Sequence, residues 1–262
     1  MKLKLQDLVF PTLFTLFVFA LWESLVRGLE IKSSILPGPL EVFQSGVANF
    51  SKLANAFRLT GLEALLGLLA STVLGISIGA IFSQSRWVRL SCYPYAIFLQ
   101  TVPIVAIAPL IVTWFGYGFQ SVVLISGIIS LFPIITSTTT GLMHVEQDLV
   151  DLFRLYKASR WQILSKLRFP AAVGSILTGL RTSSGLAVVG AIVGEYFTGY
   201  DPKNFGLGYY IFTTYSQLKT PLLFATVFTS TLLGLAFFLG INLLSSTLLR
   251  HWTYNIGREE IA

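Results

Sequence analysis

The sequence predicts an all-α, polytopic membrane protein with about six transmembrane helices. Of its 262 residues 54% are hydrophobic and 14% aromatic, only 11% are charged, and the mean hydropathy is +0.74. The apolar residues gather in runs of roughly 20, the length that carries a helix across the hydrocarbon core of a bilayer. Lipid offers the backbone no hydrogen-bond partners, so a chain made of such runs folds as helices.

The first run, about Leu8 to Val26, follows Lys2 and Lys4 as in a signal peptide, but it is long and ends in Trp22 and Glu23 without a small-x-small cleavage site. It reads as a retained span. "ILPGPLEVF" then gives a Pro-Gly-Pro turn and a short amphipathic helix to about Phe57. A second span, about Gly61 to Phe82, opens on Thr60-Gly61-Leu62-Glu63, the spacing of a capping box, which places Glu63 as a cap near the interface.

After the basic turn "RWVRL", a third span from about Tyr93 to Phe115 is broken by Pro103 and Pro109, and "GYG" at 116–118 turns the chain. The fourth span is about Ser121 to Gly141, the fifth opens at Pro170 and runs to about Phe197, and the sixth is Pro221 to Leu249 after the polar loop "GYDPKNFGLG" at 199–208. The chain thus divides into 1–57, the first span with an external amphipathic segment; 58–250, a core with a charged segment at 146–169; and a short tail, 251–262.

With both termini cytoplasmic, eleven basic residues fall inside and six outside, and Arg181 within the fifth span completes the eighteen. The net charge of +6 is therefore a loop bias and not a nucleic-acid surface, since no basic stripe stands apart from the apolar runs. The single Cys92 excludes an intramolecular disulfide, and the distant His144 and His251 argue against a metal site. No cluster of His, Asp or Glu in the spans supports catalysis, and no Gly-x-x-x-x-Gly-Lys-Ser/Thr loop is present to hold ATP.

The stretch "DLFRLYKASRWQILSKLRFP" at 151–170 stands out, with Asp151, Arg154, Lys157, Arg160, Lys166 and Arg168 between long apolar runs. Ser159-Arg160-Trp161-Gln162 has capping-box form, so one helix ends near Tyr156 and another begins at Ser159. Trp161, Leu164 and Leu167 follow i, i+3 and i+6 as one face of that second helix. The residues alone fit two readings: a solvated loop helix that sets orientation, or a helix lying across the span ends and presenting charge to a partner.

The spacing from Asp151 to Pro170 resembles the cytoplasmic motif of ATP-binding-cassette (ABC) importer permeases, Glu-Ala-Ala, three residues, Gly, nine residues, Ile-x-Leu-Pro. Asp151 stands at the Glu position, Leu152 and Phe153 at the alanines, Lys157 at the glycine, and Leu167, Phe169 and Pro170 at the end; only the proline is identical. "ASRWQ" at 158–162 is also similar in wording. "LPGPLEVF", "TVPIVAIAPLIVTWFGYG", "TGLRTSSGLAVVGAIVGEYFTG" and "GLGYYI" resemble the permeases of the nitrate, sulfonate, taurine, bicarbonate and pyrimidine-precursor group.

The resemblance implies a type I importer permease fold and a multi-pass protein of the bacterial inner membrane. It implies that Asp151, Lys157, Ala158, Ser159, Arg160, Trp161, Leu164, Leu167 and Pro170 form a coupling element seated on a separate ATPase, which holds the ATP and Mg. It further implies a homodimer fed by a periplasmic or lipid-anchored solute-binding protein. Lys157 departs from the pattern, because a left-handed bend costs a side-chain-bearing residue roughly 1–2 kcal/mol.

Ionisable residues inside a span are expensive, so Arg181 and Glu195 are candidates for a translocation path. They lie on one face of the fifth helix, about 21 Å apart along its axis and some 40° apart around it. Ser183, Ser184 and Gly185 leave room beside Arg181 for a solute or another helix, and a narrow cationic passage suits a small anion. The bland alternative has Arg181 satisfied by carbonyls or a neighbouring span and Glu195 in interfacial water. Pro103 and Pro109 free carbonyls that line either the path or its packing.

The expected function is the transmembrane subunit of an importer for a small solute, either an anion such as nitrate, bicarbonate or a sulfonate, or a pyrimidine precursor of thiamine or similar heterocycle. The alternative is a secondary transporter or channel without an ATPase, which calls for more polar spans and an inverted repeat than the sequence offers.

Overall fold

A computed structural model describes residues 5–198 and 205–259. Lys2, Lys4 and Lys203 of the charge count, and the head of the 199–208 loop, lie outside them. The elements in order are α1 (Leu5–Gly28), α2 (Pro39–Ala48), α3 (Phe50–Gln84), α4 (Arg86–Thr101), α5 (Ile104–Phe115), α6 (Phe119–Met143), α7 (Gln147–Leu155), α8 (Arg160–Ile163), a π-helical segment (Leu164–Arg168), α9 (Phe169–Thr198), α10 (Leu207–Ser216) and α11 (Thr220–Glu259).

Among the described residues five helical stretches are long and apolar enough to cross a membrane: Val9–Gly28, Phe50–Gln84, Phe119–Met143, Arg160–Thr198 and Thr220–Leu248. The expected third span is instead two helices. Val102 is extended (ψ 124°) ahead of Pro103, which has no N–H to continue α4, so the chain restarts as α5. Pro109 and Pro133 sit inside α5 and α6 without ending them.

Two further expectations are corrected. Thr60 and Glu63 do not open a helix, because α3 begins at Phe50 and passes through both. Pro170 does not open the fifth span, because helix runs on from Arg160 to Thr198. The π-helical turn explains how: the Phe169 N–H reaches back to the Leu164 carbonyl, and the widened turn relieves the clash between the Pro170 ring and the carbonyl four residues earlier.

The centre of the bundle is α3, α6 and α9. In lipid there is no hydrophobic force between apolar helices, so close approach and hydroxyl bonds hold them. Ser130 Oγ stands 2.9 Å from Ser71 Oγ of α3 and 2.7 Å from the Ser126 carbonyl of its own helix, its one proton shared between them, Ser126 donates to the Ala187 carbonyl of α9 at 2.8 Å, and Ser183 donates to the Ser130 carbonyl at 2.7 Å. A Cβ at Gly190 would stand 2.7 Å from the Ser126 Cα, so the α6–α9 crossing admits no larger residue there. Around this seam Ala64, Leu68, Val122, Ile134, Ala187, Val188, Leu207 and Leu233 form the core. α1 lies outside it, anchored by Trp22 against Phe224 and Phe228 of α11.

Candidate functional site

The charged segment folds as an elbow between α7 and α8. α7 ends in a Schellman pair: the Lys157 N–H donates to the Arg154 carbonyl at 2.9 Å and the Ala158 N–H to the Phe153 carbonyl at 3.0 Å. Lys157 is left-handed, with φ 55°, where the resemblance called for glycine. On the other side Ser159 and Gln162 form the expected capping box, with Ser159 N–H to Gln162 Oε1 at 2.7 Å and Gln162 N–H to Ser159 Oγ at 3.3 Å.

The expected apolar face of Trp161, Leu164 and Leu167 is not one face. Leu164 is buried in a cluster with Leu142, Ala172 and Ile176, and Leu167 is half-buried, whereas Trp161 is 77% exposed. The difference follows from the continuous helix: α8 does not lie across the span ends but extends α9, so its inward side is part of the bundle. The free surface of the elbow is instead Leu155, Tyr156 and Trp161 with Lys157 and Arg160, all exposed. Asp151 is occupied by Arg154 at 2.9 Å, and Pro170 is half-buried in the shaft below.

Along α9 the expected path residues separate. Gly174, Thr178, Arg181 and Gly185 fall within one narrow stripe by helical arithmetic, and a side chain at Gly174 or Gly185 would meet nothing within 4 Å. Arg181 is half-buried, and its Nε is buried without a hydrogen-bond partner. One turn below, Thr136, Ser137 and Thr140 of α6 and Ser175 and Thr178 of α9 line a concavity of about 260 Å³. Ser184 is turned away, fully buried, with its hydroxyl on the Arg181 carbonyl at 2.7 Å. Pro103 and Pro109 are exposed, while Ala108, Ile111 and Val112 of α5 pack on Ile125.

Glu195, expected farther along the same face as Arg181, is enclosed instead. It accepts from Thr60 Oγ1 at 2.6 Å and from the Gly208 N–H at 2.7 Å, with the Glu63 side chain beside it. Thr60 in turn accepts the Leu207 N–H at 2.9 Å. Two orphan N–H groups at the start of α10 are therefore capped by side chains of α3 and α9. A Cβ at Gly206 or Gly208 would overlap the Glu195 side chain, which accounts for "GLG" in the sequence.

This bundle of long apolar helices, interrupted once by a charged elbow, matches a known family. Binding-protein-dependent transport system inner membrane components align with residues 71–252. The chain belongs to this family.

The permease is thus a multi-pass inner-membrane subunit of an ABC importer, with ATP hydrolysis on a separate subunit. It is 34% identical to the formylaminopyrimidine transport permease protein ThiX of Halalkalibacterium halodurans, over 91% of this chain and 94% of that one. It is 30% identical to the putative aliphatic sulfonates transport permease protein SsuC of Bacillus subtilis (83% and 78%) and 26% identical to the nitrate import permease protein NrtB of Synechocystis (80% and 78%). Its fold is similar to a chain of the MetNI methionine ABC transporter in an inward-facing conformation, with TM-score 0.62, 15% identity, and coverage of 76% and 95%.

Sequence reasoning missed the hydroxyl-lined concavity of the permease and the Thr60–Glu195 cap. The first had a signal in "TSTTTG" at 136–141, hydroxyl residues in the middle of a span; the second joins residues from three separate stretches and had none.

Proposed function

We propose that the α7–α8 elbow is the element that docks on the ATPase, and that the permease acts as a homodimer whose path runs beside the open stripe of α9. The observation that carries the coupling role is the exposure of Leu155, Tyr156 and Trp161 on a bend capped from both sides. Large apolar and aromatic side chains held rigidly outside a bundle are what a partner's groove takes up. The Lys/Arg distribution supports a cytoplasmic position for the elbow, both termini and the tail. ATP and Mg reside on the ATPase, whose closure moves the elbow and the continuous α8–α9 rod with it. A solute-binding protein delivers the cargo on the opposite side.

For the cargo, the 34% identity to a formylaminopyrimidine permease along nearly the whole chain favours a small heterocycle of that class. The hydroxyls of Thr136, Ser137, Thr140, Ser175 and Thr178 supply hydrogen bonds that ring nitrogens and amino groups use. A second reading, a small oxyanion, is favoured by the unpartnered Nε of Arg181.

Reconstitution of the permease with its ATPase and binding protein in vesicles decides between them. ATP-dependent accumulation of a labelled aminopyrimidine, with nitrate and alkanesulfonates excluded, is expected. Accumulation of the anions alone selects the second reading, and uptake indifferent to ATP removes the coupling role from the elbow.

A further inference from the structure

Two concavities meet at the end of the bundle that carries the elbow. The first, about 550 Å³, lies among the ends of α3 and α6, the start of α4 and the elbow, and Arg86, Arg89, Arg154, Arg160 and Arg168 all line it. None of its described lining residues is acidic. Arg154 reaches Asp151 on the exposed side of α7. Arg89 spends one nitrogen on the Phe82 carbonyl at 3.2 Å, and Arg168 meets the Ser83 carbonyl at 3.4 Å while its Nε is buried without a partner.

Five guanidinium groups around one chamber repel one another, and a single acid on the outer side of α7 does not offset them. Their planar forks match the oxygens of a phosphate group, which accepts paired hydrogen bonds from several arginines at once.

The second concavity, about 410 Å³, shares Gln84 and Arg160 with the first and is otherwise lined by Ala80, Ile81, Ser85, Trp161 and Leu164. Ile81 and Trp161 are exposed on the flank of the bundle. A cationic chamber thus opens into an apolar trough beside helices that cross the membrane. A soluble anion uses only the first half of this arrangement, and an acidic loop of a protein only the first; an amphiphile uses both.

We propose that the two chambers together bind one anionic phospholipid, with its phosphate among the arginines and an acyl chain along the trough between Ile81 and Trp161. The site draws on α3, α4, the elbow and the π-helical turn, so an occupying lipid ties the elbow to the bundle. The inference rests on the membrane location of the permease; Arg160 and Trp161 also belong to the proposed docking surface, so Arg86 and Arg89, which do not, carry the test.

The test uses the purified full chain, delipidated in detergent and titrated with phosphatidylglycerol, phosphatidylethanolamine or inorganic phosphate, with bound lipid read by native mass spectrometry and protection by thermal unfolding. Phosphatidylglycerol is expected to be retained and to raise the melting temperature, with the other two ineffective. The double variant R86Q/R89Q is expected to weaken retention by about tenfold or more. Its unliganded melting temperature reports whether it folds; if it does not, R160Q at the exposed rim is expected to weaken retention by a smaller factor.

Equal retention of the two lipids overturns the proposal, as does retention unaffected by the arginine substitutions. Protection by inorganic phosphate equal to that by phosphatidylglycerol assigns the chamber to a soluble anion and overturns the lipid. Expulsion of the lipid by the ATPase, with ATPase binding lost in R86Q/R89Q, assigns the arginines to that partner and overturns it also.

Discussion

Thr60 on α3 and Glu195 on α9 stand 135 residues apart in the chain and are joined by a hydrogen bond of 2.6 Å. Through them the first two N–H groups of α10 are satisfied by helices it does not follow in sequence. Thr60→Val keeps the shape and removes the hydroxyl, stranding the Leu207 N–H, and is expected to cost about 1–3 kcal/mol. Gly208→Ala is expected to cost at least as much, since its Cβ would run into the Ile192 carbonyl. Thermal unfolding in detergent measures both; unchanged melting temperatures would take this cap out of the account of stability.

Lys157 sits at φ 55° and closes the end of α7. Lys157→Gly removes the steric cost of the left-handed conformation and is expected to raise stability by up to about 1 kcal/mol, whereas Lys157→Val, β-branched, lowers it. A lower melting temperature for the glycine variant would mean that the Lys157 side chain contributes more than its backbone costs.

Tyr156→Glu with Trp161→Glu alters only exposed side chains of the elbow. Copurification of the ATPase is expected to fall at least tenfold while membrane insertion and melting temperature hold. Leu164→Asp is the contrasting control: it places a charge among Leu142, Ala172 and Ile176 and is expected to reduce the amount of folded protein. Full ATPase copurification by the double variant would contradict the docking role.

Gly190 faces the Ser126 backbone across the α6–α9 seam. Gly190→Val is expected to destabilise by about 1–3 kcal/mol through overpacking, while Gly174→Val, on the open stripe, leaves monomer stability unchanged. A melting temperature for each in detergent separates the two positions.

Arg181→Gln removes the one charge on that stripe among the described residues. If the solute is an oxyanion, transport is expected to fall about tenfold or more; if it is a neutral heterocycle, much less. Uptake by the reconstituted transporter, compared at equal amounts of assembled complex, makes the measurement.

Much of the local structure was legible because its causes are local. The apolar runs placed three of the spans, the first, fourth and sixth, within a few residues at both ends. Ser159 and Gln162 announced their own cap, and the Schellman turn at Lys157 falls where the spacing of the resemblance called for a glycine. What misled were patterns with the right letters in the wrong setting. Thr60 to Glu63 spells a capping box, yet α3 is already eleven residues old there, and both side chains serve other helices. Trp161, Leu164 and Leu167 keep helical spacing, but which of them is buried depends on where the shaft of α9 points.

By itself the sequence determined that this is a helical membrane protein with a capped, basic elbow, since transfer of apolar runs into lipid and the closing of helix ends are settled within a few turns of chain. Only the tertiary structure decided that α8 is the tip of α9, that Glu195 holds α10 and does not line a passage, and that five arginines from four separate elements share one chamber. Those facts depend on which helices approach closely enough to touch. In a bilayer that choice rests on small residues and single hydroxyls scattered over the chain, whose partners no local pattern names.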